Sequence, residues 1–128
     1  ALPICVLGVA GIYPVFDVRS YPGVERAAGS YGLSAEGLAA RLGALNPVGK
    51  AGALARAGIP ALLVHGDRDT VVPLEPNSGA FMQGYTAAGR GDLARLIVLP
   101  GRGHDMDLGF FRSIELVRFV VDRAMARR

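Results

Sequence analysis

The sequence predicts an α/β fold, a small parallel sheet with flanking helices, and three observations carry that expectation. Three apolar runs, Ile4 to Val9, Ala61 to Val64 and Leu93 to Leu99, are nearly continuous rather than alternating, as expected for strands buried on both faces. Stretches of helical character separate them, which is the βαβ alternation of parallel sheets with right-handed crossovers. The second and third runs each end in a polar, glycine-containing loop, and in open α/β sheets the chemistry collects at the carboxyl ends of the strands.

The first strand is bounded by Pro3 and Gly11, and Asp17, Arg19, Pro22 and Gly23 mark the loop after it. Val24 to Ala28 has short helical character. Ser34 is a suitable N-cap for a helix running to about Leu45, with Leu38, Leu42 and Leu45 on one stripe, and Asn46-Pro47 ends it. A helical piece from Ala51 to Ala57 leads through Gly58 into the strand at Ile59. After Pro73 a helix is expected from about Asn77 to Ala88, since Phe81, Tyr85 and Ala88 repeat at i, i+4 and i+7 and Gly89-Arg90-Gly91 stops it. The last helix, Phe110 to about Ala126, sets Ile114, Val117 and Val121 on one face. Arg112, Glu115, Arg118 and Asp122 line another, with Glu115 and Arg118 spaced to pair.

Half of the 128 residues are hydrophobic and a fifth are charged, which is the balance of one globular domain. The net charge of +3 comes from arginines spread along the chain, with Lys50 the sole lysine. No basic cluster is interleaved with aromatics, so no nucleic-acid partner is expected. Cys5 has no partner for an internal disulfide and reads as a small buried hydrophobe, which leaves the compartment open. The apolar segment Ile4 to Ala10 is too short to span a bilayer and has no basic flank, so no membrane partner is expected. Its place immediately after Ala1 suggests a chain that starts inside a domain. Residues 1–128 are accordingly read as the C-terminal portion of a single longer domain.

Two residues stand out for chemistry. Adjacent parallel strands lie about 4.8 Å apart, so loops leaving their ends can bring Asp69 within reach of His104. The carboxylate would hold one ring nitrogen as a donor and leave the other free to take a proton from a hydroxyl nucleophile. Asp67 competes for the acid's place, His65 reads as structural at the strand end, and Asp105 and Asp107 read as solvent-facing or capping charges. Two histidines and one cysteine make a metal site an unpromising expectation.

His65-Gly66-Asp67-Arg68-Asp69-Thr70-Val71-Val72-Pro73, followed by Gly101-Arg102-Gly103-His104-Asp105, resembles the C-terminal segment of serine hydrolases of the α/β-hydrolase fold. The likeness is strongest to the branch of dienelactone hydrolases and prolyl-oligopeptidase-like enzymes, and it covers the whole chain. It implies that Asp69, at the fifth letter of HGxxDxxVP, is the catalytic acid in preference to Asp67, and that His104 of GxGH is the base. It also implies cleavage of a small-molecule ester or a peptide through an acyl-enzyme, without metal or organic cofactor. Gly11-Ile12-Tyr13-Pro14 looks like the family's strand after the nucleophile helix, so the three strands would be the last three of its sheet. The region from about 20 to 58 would then be a lid or pocket insertion, with Tyr13, Phe16 and Tyr21 candidates for substrate contact.

The family's nucleophile sits on a G-x-S-x-G elbow between a strand and a helix. Ala28-Gly29-Ser30-Tyr31-Gly32 imitates it, but the preceding YPGVERA is no strand. The serine and the oxyanion donors are therefore expected upstream, in the missing N-terminal half of the domain, and the isolated chain is expected to be inactive. Two other readings stand beside this one. Asp67-Arg68-Asp69-Thr70-Val71-Val72 resembles the first motif of haloacid-dehalogenase-like phosphatases, although His65-Gly66 intervenes after the apolar run and no lysine follows Asp69. A hydrolase fold can also serve as a non-catalytic binding or scaffold protein.

Overall fold

Strands β1 (Val9–Ile12), β2 (Ala61–Gly66) and β3 (Ala94–Leu99) form one parallel sheet in that order in the computed structural model, which describes residues 5–126. Ile12 is in register with Val64, and Val64 with Ile97. β2 lies in the middle and all six of its residues are buried, which is why its sequence runs apolar without alternation.

The first strand starts later than expected, at Val9 rather than Ile4. The ladder explains the shift: Val9 N–H donates to the Pro60 carbonyl at 2.9 Å, and β2 itself begins only at Ala61, so residues 5–8 pair with no strand among the described residues. Ile4 lies outside the described residues. Cys5 is exposed, not buried, for the same reason.

Seven helices flank the sheet among the described residues: α1 (Val24–Ala28), α2 (Ala35–Ala40), α3 (Leu42–Leu45), α4 (Ala51–Arg56), α5 (Ala80–Ala87), α6 (Leu108–Phe111) and α7 (Ile114–Met125). Ser34 caps α2 as expected, its Oγ accepting from Gly37 N–H at 3.0 Å. The long helix expected to Leu45 breaks at Arg41 into α2 and α3. Gly37 and Gly43 weaken it by about 1 kcal/mol each relative to alanine. The last helix divides too. Asp107 caps α6 through Gly109 N–H, and Ser113, a better N-cap than helix-interior residue, accepts from Leu116 N–H to restart the chain as α7. Ahead of α5, Glu75 to Gly79 forms a wide π-type turn, so helical structure begins just before the expected Asn77.

Ala51, Ala55, Ala61, Leu63, Phe81 and Tyr85 make the main core, where α4 and α5 meet the sheet. These two helices touch through small residues: a Cβ on Gly84 would sit 2.6 Å from that of Ala51. Successive strand side chains point to opposite faces, so Leu62 turns away from this core and lines, with Phe119 of α7, a groove on the other side. Helices thus lie on both faces. Ile114, Val117 and Val121, the expected stripe of the last helix, are 63%, 59% and 51% exposed. Glu115 stands 3.9 Å from Arg95 of β3, a partner other than the expected Arg118.

Residues 13–58 carry a second small core of Val18, Ala27, Ala28 and Leu38, with Leu42 and Leu45 against it. Two buried amides hold this segment, Asn77 tying it to the sheet layer and Asn46 bracing it from within. Asn77 Oδ1 accepts from Phe16 and Asp17 N–H at 2.8 and 2.9 Å, while its Nδ2 donates to Ser20 Oγ and the Pro73 carbonyl. Asn46 accepts from Val18 N–H and donates to Asp17. The Arg19 guanidinium, in a forked pair with Asp17, holds that carboxyl below its ordinary range against the cost of burial.

Candidate functional site

The loops leaving β2 and β3 are tied together before any side chain of the site is considered. Asp67 N–H donates to the Leu99 carbonyl and Arg68 N–H to the Arg102 carbonyl at 2.9 Å, while Asp67 Oδ1 accepts from Gly101 N–H at 2.6 Å. Gly66 permits the approach, since a Cβ there would collide with the Arg102 carbonyl. Asp67 is therefore a brace between the two loops, and the acid facing the histidine is Asp69.

Asp69 Oδ2 accepts from His104 Nδ1 at 2.9 Å. The other oxygen, Oδ1, accepts from the backbone N–H of Val71 and Val72 at 3.0 and 2.8 Å. This side chain is wholly buried, whereas that of His104 is 32% exposed. An ionised carboxylate can only accept, so the proton sits on Nδ1 and Nε2 carries the lone pair. Among the described residues Nε2 makes no hydrogen bond. The arrangement is that of an imidazole held in one tautomer, able to accept a proton at Nε2 and to be stabilised as imidazolium by the buried carboxylate.

No family model and no curated protein matches the chain. What the site can do therefore rests on its own geometry.

His65 is fully buried within β2 and serves this loop from behind. Its Nε2 lies 2.8 Å from the Val72 carbonyl, which can only accept, so Nε2 bears the proton and Nδ1 accepts from the Ser78 hydroxyl at 2.8 Å. Burial pushes the His65 imidazole below its ordinary value, against the pull of the Val72 bond and the Asp69 charge. Val72 is consequently gripped twice, by His65 at its carbonyl and by Asp69 at its N–H. Asp107 is a helix cap, paired with Arg102 at 2.9 Å, and Asp105 accepts from Asp107 N–H at 2.9 Å in an exposed turn.

Tyr13 reaches the site from the third strand end. Its ring centroid lies 4.1 Å from that of His104, tilted by 48°, with Phe110 edge-on at 5.1 Å and Phe111 at 6.2 Å. Tyr13 has φ +32°, a left-handed conformation that costs a bulky residue about 1–3 kcal/mol. Of the other aromatics singled out in the sequence, Phe16 stacks on Phe81 at 4.1 Å as part of the core. Ser30 lies in a 3₁₀ turn, Gly29–Tyr31, directly after α1 and not after a strand. The contact of Tyr13 with His104 and the amide brackets of Asn46 and Asn77 have no signature in the sequence, because residues far apart in the chain make them.

β2 includes His65 and Gly66, so Asp67 directly follows the strand. The spacing objection to the phosphatase-like motif therefore falls, and the absence of any lysine other than Lys50 is what still separates the two. Asp67 and Asp69 are engaged with different partners, Gly101 on one side and His104 on the other. Among the described residues, no group of three or more His, Cys, Asp or Glu is placed to hold a metal ion. The grooves flanking α7, one lined by Cys5 to Gly8 with Phe119, Val120 and Arg123, include neither Asp69 nor His104.

Proposed function

We propose that this chain supplies the acid and base of a serine hydrolase that cleaves an ester or amide bond through an acyl-enzyme. One observation carries the reading: the 2.9 Å bond from His104 Nδ1 to a buried Asp69 that two backbone N–H groups already fix, at the ends of neighbouring parallel strands. In this mechanism His104 Nε2 takes the proton of a serine hydroxyl as its oxygen attacks the substrate carbonyl. It then returns that proton to the leaving alcohol or amine as the tetrahedral adduct collapses. Water, deprotonated by the same nitrogen, attacks the acyl-serine, and the proton passes back to the serine oxygen. Asp69 stays ionised throughout, holding the tautomer and offsetting the imidazolium charge.

The serine belongs, on this reading, to chain outside these 128 residues, which form the C-terminal portion of one α/β-hydrolase domain. The sheet supports it: β1 pairs only with β2 among the described residues, so its other edge is open to a further strand. The test is the parent reading frame. A strand followed by G-x-S-x-G, about a dozen or more residues before Ala1 to allow the crossover, and ester hydrolysis that drops about 10⁴-fold in kcat in Asp69→Asn are the expected results. A parent frame with another residue in the serine's place, or hydrolysis indifferent to His104→Ala, overturns the proposal; the first outcome directs the search to binding partners.

A further inference from the structure

We infer that Tyr13 is the positioning residue of His104: it fixes the plane of the imidazole, which the hydrogen bond to Asp69 leaves free. The inference rests on the acid–base reading of Asp69 and His104 and adds a third strand end to it. A single bond at Nδ1 constrains where that nitrogen lies, but coupled changes of χ1 and χ2 that keep it near Asp69 still carry Nε2 through an arc. Nε2 must point in one direction to take a proton from a fixed hydroxyl. The missing constraint is a second contact on the ring, and Tyr13 makes one, its ring packed against the imidazole at a 48° tilt with centroids 4.1 Å apart.

Three features show that the contact is built and not incidental. Tyr13 is anchored at its root, its N–H donating to the Val64 carbonyl at 2.7 Å as a continuation of the β1–β2 ladder. Its ring is backed by the fully buried Phe110, edge-on at 5.1 Å, and by Phe111. Its backbone is held at φ +32° immediately before Pro14, where a residue is ordinarily driven to extended conformations. Glycine would meet that backbone demand without strain. A tyrosine there is explained by what its side chain touches, and it touches His104.

The test reads His104 directly, by nitrogen-15 and proton NMR of the imidazole in the 128-residue chain. In the parent and in Tyr13→Phe, His104 shows a single Nδ1–H tautomer with a slowly exchanging, downfield proton. In Tyr13→Leu and Tyr13→Gly that proton exchanges about fivefold faster or more, the scale of one aromatic contact, while the tautomer set by Asp69 is kept. The glycine variant relieves the backbone strain, so a folded protein without the ring is at hand, and rescue by phenylalanine separates ring stacking from the hydroxyl. A His104 unchanged in both the leucine and glycine variants overturns the inference. Asp69→Asn separates this failure from that of the underlying reading: if it leaves the His104 tautomer unaltered, the acid–base pair itself is refuted, and if it alters the tautomer while exchange of the Nδ1 proton is unchanged in the Tyr13 variants, only the role of Tyr13 is.

Discussion

At the scale of single residues, the site is a set of hydrogen bonds in which each partner's chemistry decides the next. Burial disfavours the His65 cation more than the Val72 bond and the Asp69 charge favour it, so His65 is held below its ordinary value of 6.5 in the folded chain. The unfolded chain then binds a proton first as pH falls. This part of the stability is full above about pH 6.5 and is lost progressively below it. Urea titrations from pH 8 to 5 should show it, and His65→Gln should flatten the slope; an unchanged slope in the variant would assign the loss to other groups. Asn77→Ala has a different signature. It removes the acceptor for two backbone N–H groups and the donor to Pro73, and should cost at least about 2 kcal/mol at every pH, measurable by the same titrations. The Asp69–His104 pair was legible in the sequence because each residue stands in a short local motif just beyond an apolar run. The sequence marks Tyr13 only as a candidate substrate contact and Asn77 only as a helix start, because the partners are 61 residues apart for Phe16 and Asn77 and farther still for Tyr13 and His104.

At the scale of elements, glycine decides how closely the pieces meet. Gly66, at the end of β2, is covered by the Arg102 carbonyl, and the loop bearing His104 crosses just there. Gly66→Ala must push that loop away, at about 1–3 kcal/mol, and should weaken the His104–Asp69 bond with it. A lowered denaturation midpoint together with accelerated exchange of the His104 Nδ1 proton would show both effects. If stability falls while the imidazole is undisturbed, the loop bends without carrying the base. The strands' apolar runs and the Ser34 cap were readable because such signals are local. The breaks at Arg41 and Arg112 were not, since an apolar stripe continues across each of them and the capping bond of Ser113 shows only once the chain has turned. The first strand was misplaced because apolar residues precede it, while pairing is set by where β2 begins.

At the scale of the whole molecule, both edges of the three-stranded sheet are open among the described residues, Phe119 and Val120 of α7 line a groove with the exposed Val6 and Leu7, and Val117 and Val121 on the same helix are exposed as well. Surface of this kind favours association. Light scattering of the 128-residue chain should show particles larger than a monomer as concentration rises, and Val117→Lys combined with Val121→Glu should move them toward the monomer; a monomer at high concentration before substitution would mean that the exposed face is not adhesive. The placement of the site also sets a timetable for folding. The local helices α4 and α5 can form early, but Tyr13, Asp69 and His104 come from three separate strand ends, and contacts between distant segments must wait for the loops between them to close. The imidazole pocket is therefore among the last parts to assemble on refolding. A ligand of the finished pocket would find nothing to bind on partly folded chains, and a newly made protein would bring Asp69 and His104 together only once the sheet is whole.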